Sequence, residues 1–183
     1  MRALFPFLLL AAPLAAQEAA LLPVSLPPEV AEDILARPDR FAAMATDLIH
    51  GHGTGGTITP SVIETAIALD RAFFRTRALR PFLESDLDAD GTLTTPEVTA
   101  RAATLSPPAR ARLMRDHAAA DSDADGTLSP PELRAHAAAG VARASRPLNE
   151  GLMRAVAAFD ADADGQTGLA ELTRALQPLS ATD

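Results

Sequence analysis

The chain has 183 residues, and its 24 acidic and 16 basic residues give a formal net charge of −8. This length suits one domain of ordinary size or two small lobes in contact. Cys, Trp, Tyr and Lys are absent, so all the basic residues are Arg. Without Cys the chain has no disulfide framework, thiol nucleophile or thiolate metal site, and without Lys it has no P-loop lysine and no Schiff-base chemistry.

The N-terminus has the pattern of a secretory signal peptide. Arg2 is followed by an apolar run over residues 3–14, and small residues precede Gln17. Residues 1–16 are therefore predicted to be removed by cleavage after Ala16. The run is too short to span a bilayer, although its retention as a membrane anchor is the alternative. Residues 17–27 are predicted to be a flexible N-terminal segment.

Processing and export follow from this pattern. Loss of Arg2 leaves 15 Arg against 24 acidic residues, a net charge of −9. The mature protein is predicted to be periplasmic or secreted, with no stable membrane insertion after cleavage.

A 12-residue segment recurs along the rest of the chain. Residues 86–97 (loop 2), 121–132 (loop 3) and 160–171 (loop 4) align without gaps, and their starts lie 35 and then 39 residues apart. Each has Asp at positions one, three and five, Gly at position six and Glu at position twelve. Such a period is typical of a repeated helix–loop–helix unit.

Counting 35 residues back from Asp86 reaches Gly51, the first residue of a related segment, residues 51–62 (loop 1). Loop 1 keeps the sixth-position Gly56 and the apolar eighth residue Ile58, but it lacks every acidic residue. It is predicted to be a degenerate loop without metal. His50 precedes this loop and His52 lies within it. Two histidines do not complete a zinc site.

The acidic loops have the ligand pattern of a calcium site. Calcium takes six to eight oxygen ligands, and carboxylates at alternate positions of a tight loop point toward one centre. The sixth-position glycine permits the sharp reversal, position seven offers a backbone carbonyl, and the terminal glutamate reaches back with both oxygens. The predicted metal ligands are Asp86, Asp88, Asp90, Thr92 and Glu97 in loop 2; Asp121, Asp123, Asp125, Thr127 and Glu132 in loop 3; and Asp160, Asp162, Asp164, Gln166 and Glu171 in loop 4.

Apolar residues at spacings of three and four predict helices on both sides of these loops. Breaks are expected at residues 106–108 and 145–147, where Ser and Pro occur together. Pro81 is expected to kink or shorten the helix that enters loop 2. His117 and His136 stand where apolar residues would be expected. Thr94 and Ser129 have the spacing of capping boxes with Glu97 and Glu132.

Over roughly residues 28–178 the chain resembles the EF-hand superfamily, with a layout similar to that of calmodulin-like proteins. The resemblance implies an all-α fold of paired helix–loop–helix units with short two-strand contacts between loops. These contacts would lie at position eight, where Thr167 of loop 4 is polar and is expected to pair less firmly. The expected order is a first pair over residues 28–104, a second pair over residues 105–178 and a tail over residues 179–183. The alternative pairs loop 2 with loop 3 and leaves loop 4 to dimerise.

These observations predict a protein with three Ca²⁺ sites that acts as a calcium buffer or is stabilised by calcium. The alternative is a calcium sensor that exposes a hydrophobic groove and binds a protein partner. No catalytic constellation is visible, so an enzyme is not expected. The basic cluster of Arg71, Arg75, Arg77 and Arg80 is interpreted as a helix face, and no nucleic-acid partner is expected.

Overall fold

A computed structural model describes residues 22–145 and 147–180. The predicted signal peptide and residues 181–183 of the predicted tail lie outside the described residues. Residues 22–27 form no helix or strand, but Leu22 is buried. Within the described residues, no helix is both long enough and apolar enough to cross a membrane.

The predicted all-α class is confirmed. The described residues form eight α-helices and four two-residue strands. The elements in chain order are α1 (Pro28–Ala36), α2 (Pro38–His52), β1 (Thr57–Ile58), α3 (Pro60–Leu83), β2 (Leu93–Thr94), α4 (Thr95–Ala103), α5 (Pro107–Ala120), β3 (Thr127–Leu128), α6 (Pro130–Ala144), α7 (Pro147–Ala155), a 3₁₀ turn (Val156–Phe159), β4 (Thr167–Gly168) and α8 (Leu169–Ser180).

Proline and capping residues set the helix starts. Most of these helices begin with proline, whose missing N–H is not needed in a first turn. The capping boxes of Thr94 with Glu97 and of Ser129 with Glu132 are both present. The predicted breaks near residues 107 and 147 are confirmed as helix starts. Pro81 does not end its helix, because α3 continues to Leu83.

The strands pair differently from the expected order. β2 pairs antiparallel with β3, placing Leu93 opposite Leu128. β1 pairs antiparallel with β4, placing Ile58 opposite Thr167. The expected pairing of loop 1 with loop 2 and of loop 3 with loop 4 is therefore wrong. The alternative was right for loops 2 and 3 and wrong for loop 4, which pairs with loop 1. Each loop offers a similar short strand, so the strand sequence alone does not select its partner.

The described residues divide into two compact units that match this pairing. Residues 67–145 form the first unit, with loops 2 and 3, and residues 22–66 with 147–180 form the second, with loops 1 and 4. The expected division into 28–104 and 105–178 is replaced by this arrangement. In the first unit the buried cluster consists of Phe82, Leu93, Val98, Ala102, Leu113, Ala120 and Leu128.

The second unit has its own apolar core, in which the rings of Phe41 and Phe159 lie 5.5 Å apart. Thr167 belongs to this core, with 1% of its surface exposed. Its hydroxyl donates a hydrogen bond of 3.0 Å to the carbonyl of Val156 in the 3₁₀ turn. The polar atom at position eight is thus satisfied, which makes its burial possible.

His117 and His136 both lie in helices of the first unit. His117 is buried. The ring of His136 packs 4.8 Å from that of Phe82. Burial lowers the pKa of His136, and the nearby Arg143 lowers it further. The burial of His117 and the packing of His136 on Phe82 agree with their places in the helical pattern.

Candidate metal centres

Loops 2, 3 and 4 share one backbone path. In each loop the sixth-position glycine has a φ near 85°. The alanine at position four, Ala89, Ala124 or Ala163, has a φ of 60°. Left-handed backbone is unfavourable for alanine by about 1–2 kcal/mol, so other contacts in the loop must hold it. The need for this conformation at position four was not apparent from the sequence.

Carboxylates supply those contacts. The Oδ2 atom of the position-one aspartate accepts a hydrogen bond from the position-six N–H, at 3.2 Å from Asp86, 3.0 Å from Asp121 and 2.9 Å from Asp160. The position-three aspartate accepts from the N–H of position five in all three loops. The position-five aspartate accepts from the N–H of position seven. The acidic side chains therefore organise the backbone that presents them.

The twelfth-position glutamate closes each loop. In loop 2 the Oε1 atom of Glu97 accepts from the N–H of Leu87 at 2.8 Å, while Oε2 accepts from the N–H and hydroxyl of Thr94. Glu132 repeats these contacts with Ser122 and Ser129. Glu171 accepts from the backbone N–H groups of Ala161 and Gly168.

These bonds favour the ionised glutamates. Backbone hydrogen bonds, with Thr94 first, lower the pKa of Glu97 to about 2. Those from Ser129 and Ser122 lower the pKa of Glu132 to about 2. The backbone N–H of Gly168 lowers the pKa of Glu171. A lowered pKa in the folded state stabilises the fold above the ordinary value of 4.5, and this contribution is lost as the pH falls from there toward the lowered value.

Each acidic loop gathers three carboxylates around one point. One oxygen from each of the first, third and twelfth residues lies within 4.8 Å of the others, a spacing suited to a single metal ion. The clusters are Asp86, Asp88 and Glu97; Asp121, Asp123 and Glu132; and Asp160, Asp162 and Glu171. The position-five aspartates do not belong to these clusters of three carboxylates. The position-seven ligand is a backbone carbonyl, which these side-chain clusters do not include, and it stays a prediction.

Two atoms show that a cation fits loops 2 and 3. The Oδ1 atoms of Asp86 and Asp121 are buried, and neither has a hydrogen-bond partner among the described residues. A buried carboxylate oxygen without a partner is costly, and a cation would satisfy it. In loop 4 the corresponding Oδ1 of Asp160 accepts from the N–H of Asp164 at 3.2 Å. The donor set of loop 4 also fits a cation, although its first aspartate already has a partner.

Loop 1 is shorter than predicted. Helix α2 continues to His52, so the first two residues of the predicted loop are helical. A tight turn follows, in which Thr54 and Thr57 exchange backbone hydrogen bonds of 3.0 and 3.2 Å. The two central glycines, Gly55 and Gly56, both have positive φ, as a type I′ turn requires. Among the described residues, no cluster of three metal-ligating side chains includes His50 or His52.

The loops of each pair contact one another beyond the strands. The hydroxyl of Thr95 donates to the carbonyl of Gly126 at 2.6 Å, which joins loops 2 and 3. The hydroxyl of Thr57 donates to Oε1 of Gln166 at 2.7 Å, which joins loops 1 and 4. Gln166 was predicted only for its backbone carbonyl, and its side chain has this additional contact.

Comparison with protein-family models, with curated proteins and with solved structures finds no match to this chain. The assignment of the site therefore depends on its geometry. The structure is mostly helical and contains three acidic clusters that are compatible with metal binding and with EF-hand-like loops.

Proposed function

We propose that the protein binds calcium through loops 2, 3 and 4, as an exported protein that buffers calcium or is stabilised by it. The observation that carries the proposal is the threefold recurrence of one carboxylate cluster with ligand atoms within 4.8 Å. Asp at positions one, three and five and Glu at position twelve would hold the ion, with the position-seven carbonyls of Thr92, Thr127 and Gln166.

The donor chemistry favours calcium over other metals. All the proposed ligands are oxygen atoms, which suit hard cations, and neither Cys nor His belongs to the clusters. Calcium accepts six to eight ligands in flexible geometry, whereas magnesium requires an octahedral arrangement and retains several waters. A loop with four carboxylates and a carbonyl suits the larger ion.

Isothermal titration calorimetry of the purified, EDTA-treated chain tests the assignment. Calcium is expected to fill three sites, and magnesium to bind at least about tenfold more weakly. No heat of binding at millimolar calcium would contradict the proposal.

Single-site variants assign the sites. Glu97→Gln, Glu132→Gln and Glu171→Gln each remove one charge from one cluster, and each is expected to weaken its own site by at least about a hundredfold, because even supporting residues around a metal contribute 10–100-fold. The control is Glu84→Gln, since Glu84 lies before loop 2 and pairs with Arg80 and Arg101. The control should retain three sites. An unchanged titration of all three cluster variants would reject these residues as ligands.

Export is proposed from the N-terminal pattern alone. Mass spectrometry of the protein recovered from a secreting host is expected to find Gln17 as the first residue. Recovery of a chain that still begins at residue 1 in the membrane fraction would favour the anchor instead.

A further inference from the structure

The two compact units differ in the charge that remains outside their acidic loops. Outside loops 2 and 3, residues 67–145 contain ten Arg and three acidic residues. Outside loop 4, residues 22–66 and 147–180 contain four Arg and seven acidic residues. An acidic protein thus contains one unit with a strongly basic surface away from its metal loops.

Four of these arginines meet at one groove. Helices α3, α5 and α6 border an open groove with a volume of about 770 Å³. The arginines that line it are Arg77 from α3, Arg112 and Arg115 from α5, and Arg143 from α6. All four are exposed. They lie up to 66 residues apart in the chain, so no local pattern predicts that they converge.

Little opposing charge is present in the groove. Its one acidic residue is Asp116, with oxygens 3.5 Å from Nε of Arg112 and 3.9 Å from Nε of Arg115. Arg77 and Arg143 form no ion pair within the described part of the chain. His136 also lines the groove, and burial lowers its pKa, which favours the neutral ring. The groove therefore has a net positive charge that the described residues do not balance.

The surface between the arginines is made of small side chains. Ala78, Ala135, Ala139 and Gly140 line it, together with Phe74. Helices α3 and α6 are in close contact, because a Cβ atom at Gly140 would lie 2.6 Å from the Cβ of Ala78. Small residues let the backbone of another helix approach closely. A drug-sized ligand is usually 70–90% buried, whereas this groove opens to solvent across three helices and better fits a protein segment.

We propose that this groove binds an acidic amphipathic helix of a partner protein. The small apolar face of such a helix would lie on the alanines, and its carboxylates would pair with the four arginines. Guanidinium groups bind carboxylates with two parallel hydrogen bonds. None of the proposed metal ligands lines the groove, although Ser122 of loop 3 does. The proposal rests on the arginines and alanines of the three helices and does not require calcium binding.

The test is fluorescence anisotropy with a labelled probe peptide. The probe is an alanine-rich helical peptide with glutamates along both edges of its apolar face, and the control peptide has glutamine in place of each glutamate. With the calcium-saturated full chain, the glutamate peptide is expected to bind at least about tenfold more tightly than the control, since several partly exposed ion pairs each contribute about 0.5–1 kcal/mol. Equal affinities, or no binding of either peptide, would overturn the proposal.

Matched variants locate the site. Arg77→Gln/Arg143→Gln removes the two unpaired groove charges, and Arg75→Gln/Arg134→Gln removes two exposed charges from the same two helices outside the groove. The groove variant is expected to weaken the probe about tenfold and the control variant less than twofold. Equal weakening would show a non-specific charge effect and overturn the proposal. Both variants should retain the circular dichroism spectrum and the thermal unfolding midpoint of the parent, which shows that they are folded.

Other anions are tested as competitors. Inorganic phosphate and a duplex DNA oligonucleotide are added to the probe complex at equal ionic strength, because exposed charges are screened by salt. The proposal expects that neither displaces the probe at concentrations comparable with the unlabelled peptide. Displacement by DNA or by phosphate at lower concentrations than by the unlabelled peptide would assign the groove to that anion instead.

Discussion

Loops 1 and 4 pair through one two-stranded sheet but reach their strands by different means. Loop 1 uses a tight turn closed by backbone hydrogen bonds between Thr54 and Thr57. Loop 4 uses a longer path whose N–H groups are held by Asp160, Asp162 and Asp164. The turn of loop 1 needs no charge, whereas loop 4 collects carboxylates that repel one another.

This difference teaches that the paired strand does not depend on the metal site. Loop 1 satisfies its polar backbone internally, so it can offer a formed edge to β4. Loop 4 has Ala163 in left-handed backbone and depends on ionised side chains for its path. We therefore expect loop 4 to respond to removal of a cation and loop 1 to change little.

Removal of the cation is expected to affect loop 4 and to spare loop 1. In EDTA the amides of Gly165 and Gln166 are expected to exchange hydrogen at least about tenfold faster than in calcium, because repulsion among the carboxylates is no longer offset. The amides of Thr54 and Thr57 should change much less. Hydrogen exchange followed by NMR measures both loops in one sample. A similar acceleration of exchange in loop 1 would contradict the claim that loop 4 alone depends on the cation.

Gly53→Ala is expected to destabilise loop 1 by a steric clash. A Cβ atom there would lie 2.2 Å from the carbonyl oxygen of Thr57 and 2.5 Å from that of Ile49, so the backbone must move. We expect the free energy of unfolding to fall by about 2–3 kcal/mol, measured by urea denaturation in calcium.

Gly51→Ala is the matched control for this substitution. Gly51 lies in the last turn of α2, the helix that Gly53 caps, and a Cβ there would meet no atom within 4 Å outside its own turn of helix. Alanine is preferred over glycine in a helix by up to about 1 kcal/mol, so this control should be neutral or stabilising. A loss of stability in the control equal to that of Gly53→Ala would mean that the close contact at Gly53 is not the cause.

The smallest expected effect concerns β4, the strand of loop 4 that pairs with loop 1. Thr167→Val keeps the shape of the side chain but removes the hydroxyl that donates to Val156. The expected cost is about 1 kcal/mol, the net value of one intramolecular hydrogen bond. Thr173→Val is the control, because its hydroxyl bonds the carbonyl of Leu169 on an exposed helix surface. Thermal unfolding in calcium compares the two, and a more stable Thr167→Val protein would show that the buried hydroxyl has no structural value.

The acidic loops were the most predictable part of the molecule. Alternating aspartates, a glycine and a terminal glutamate lie within twelve residues, so local chemistry alone predicts that their side chains converge. The capping boxes at Thr94 and Ser129 were predictable for the same reason. The extension of α2 to His52 was not predictable, because a Gly-rich segment is compatible with several turns. The turn that forms depends on the close approach of Gly53 to the carbonyl of Thr57.

Sequence by itself determined the helical class, the helix starts and the three carboxylate clusters, since each depends on residues close together in the chain. Only the tertiary structure decided which loops pair, because the sequences of four similar short strands do not specify which strand pairs with which. It also decided that Arg77, Arg112, Arg115 and Arg143 meet at one groove. Contacts between distant helices depend on the packing of whole units, and no local pattern encodes them.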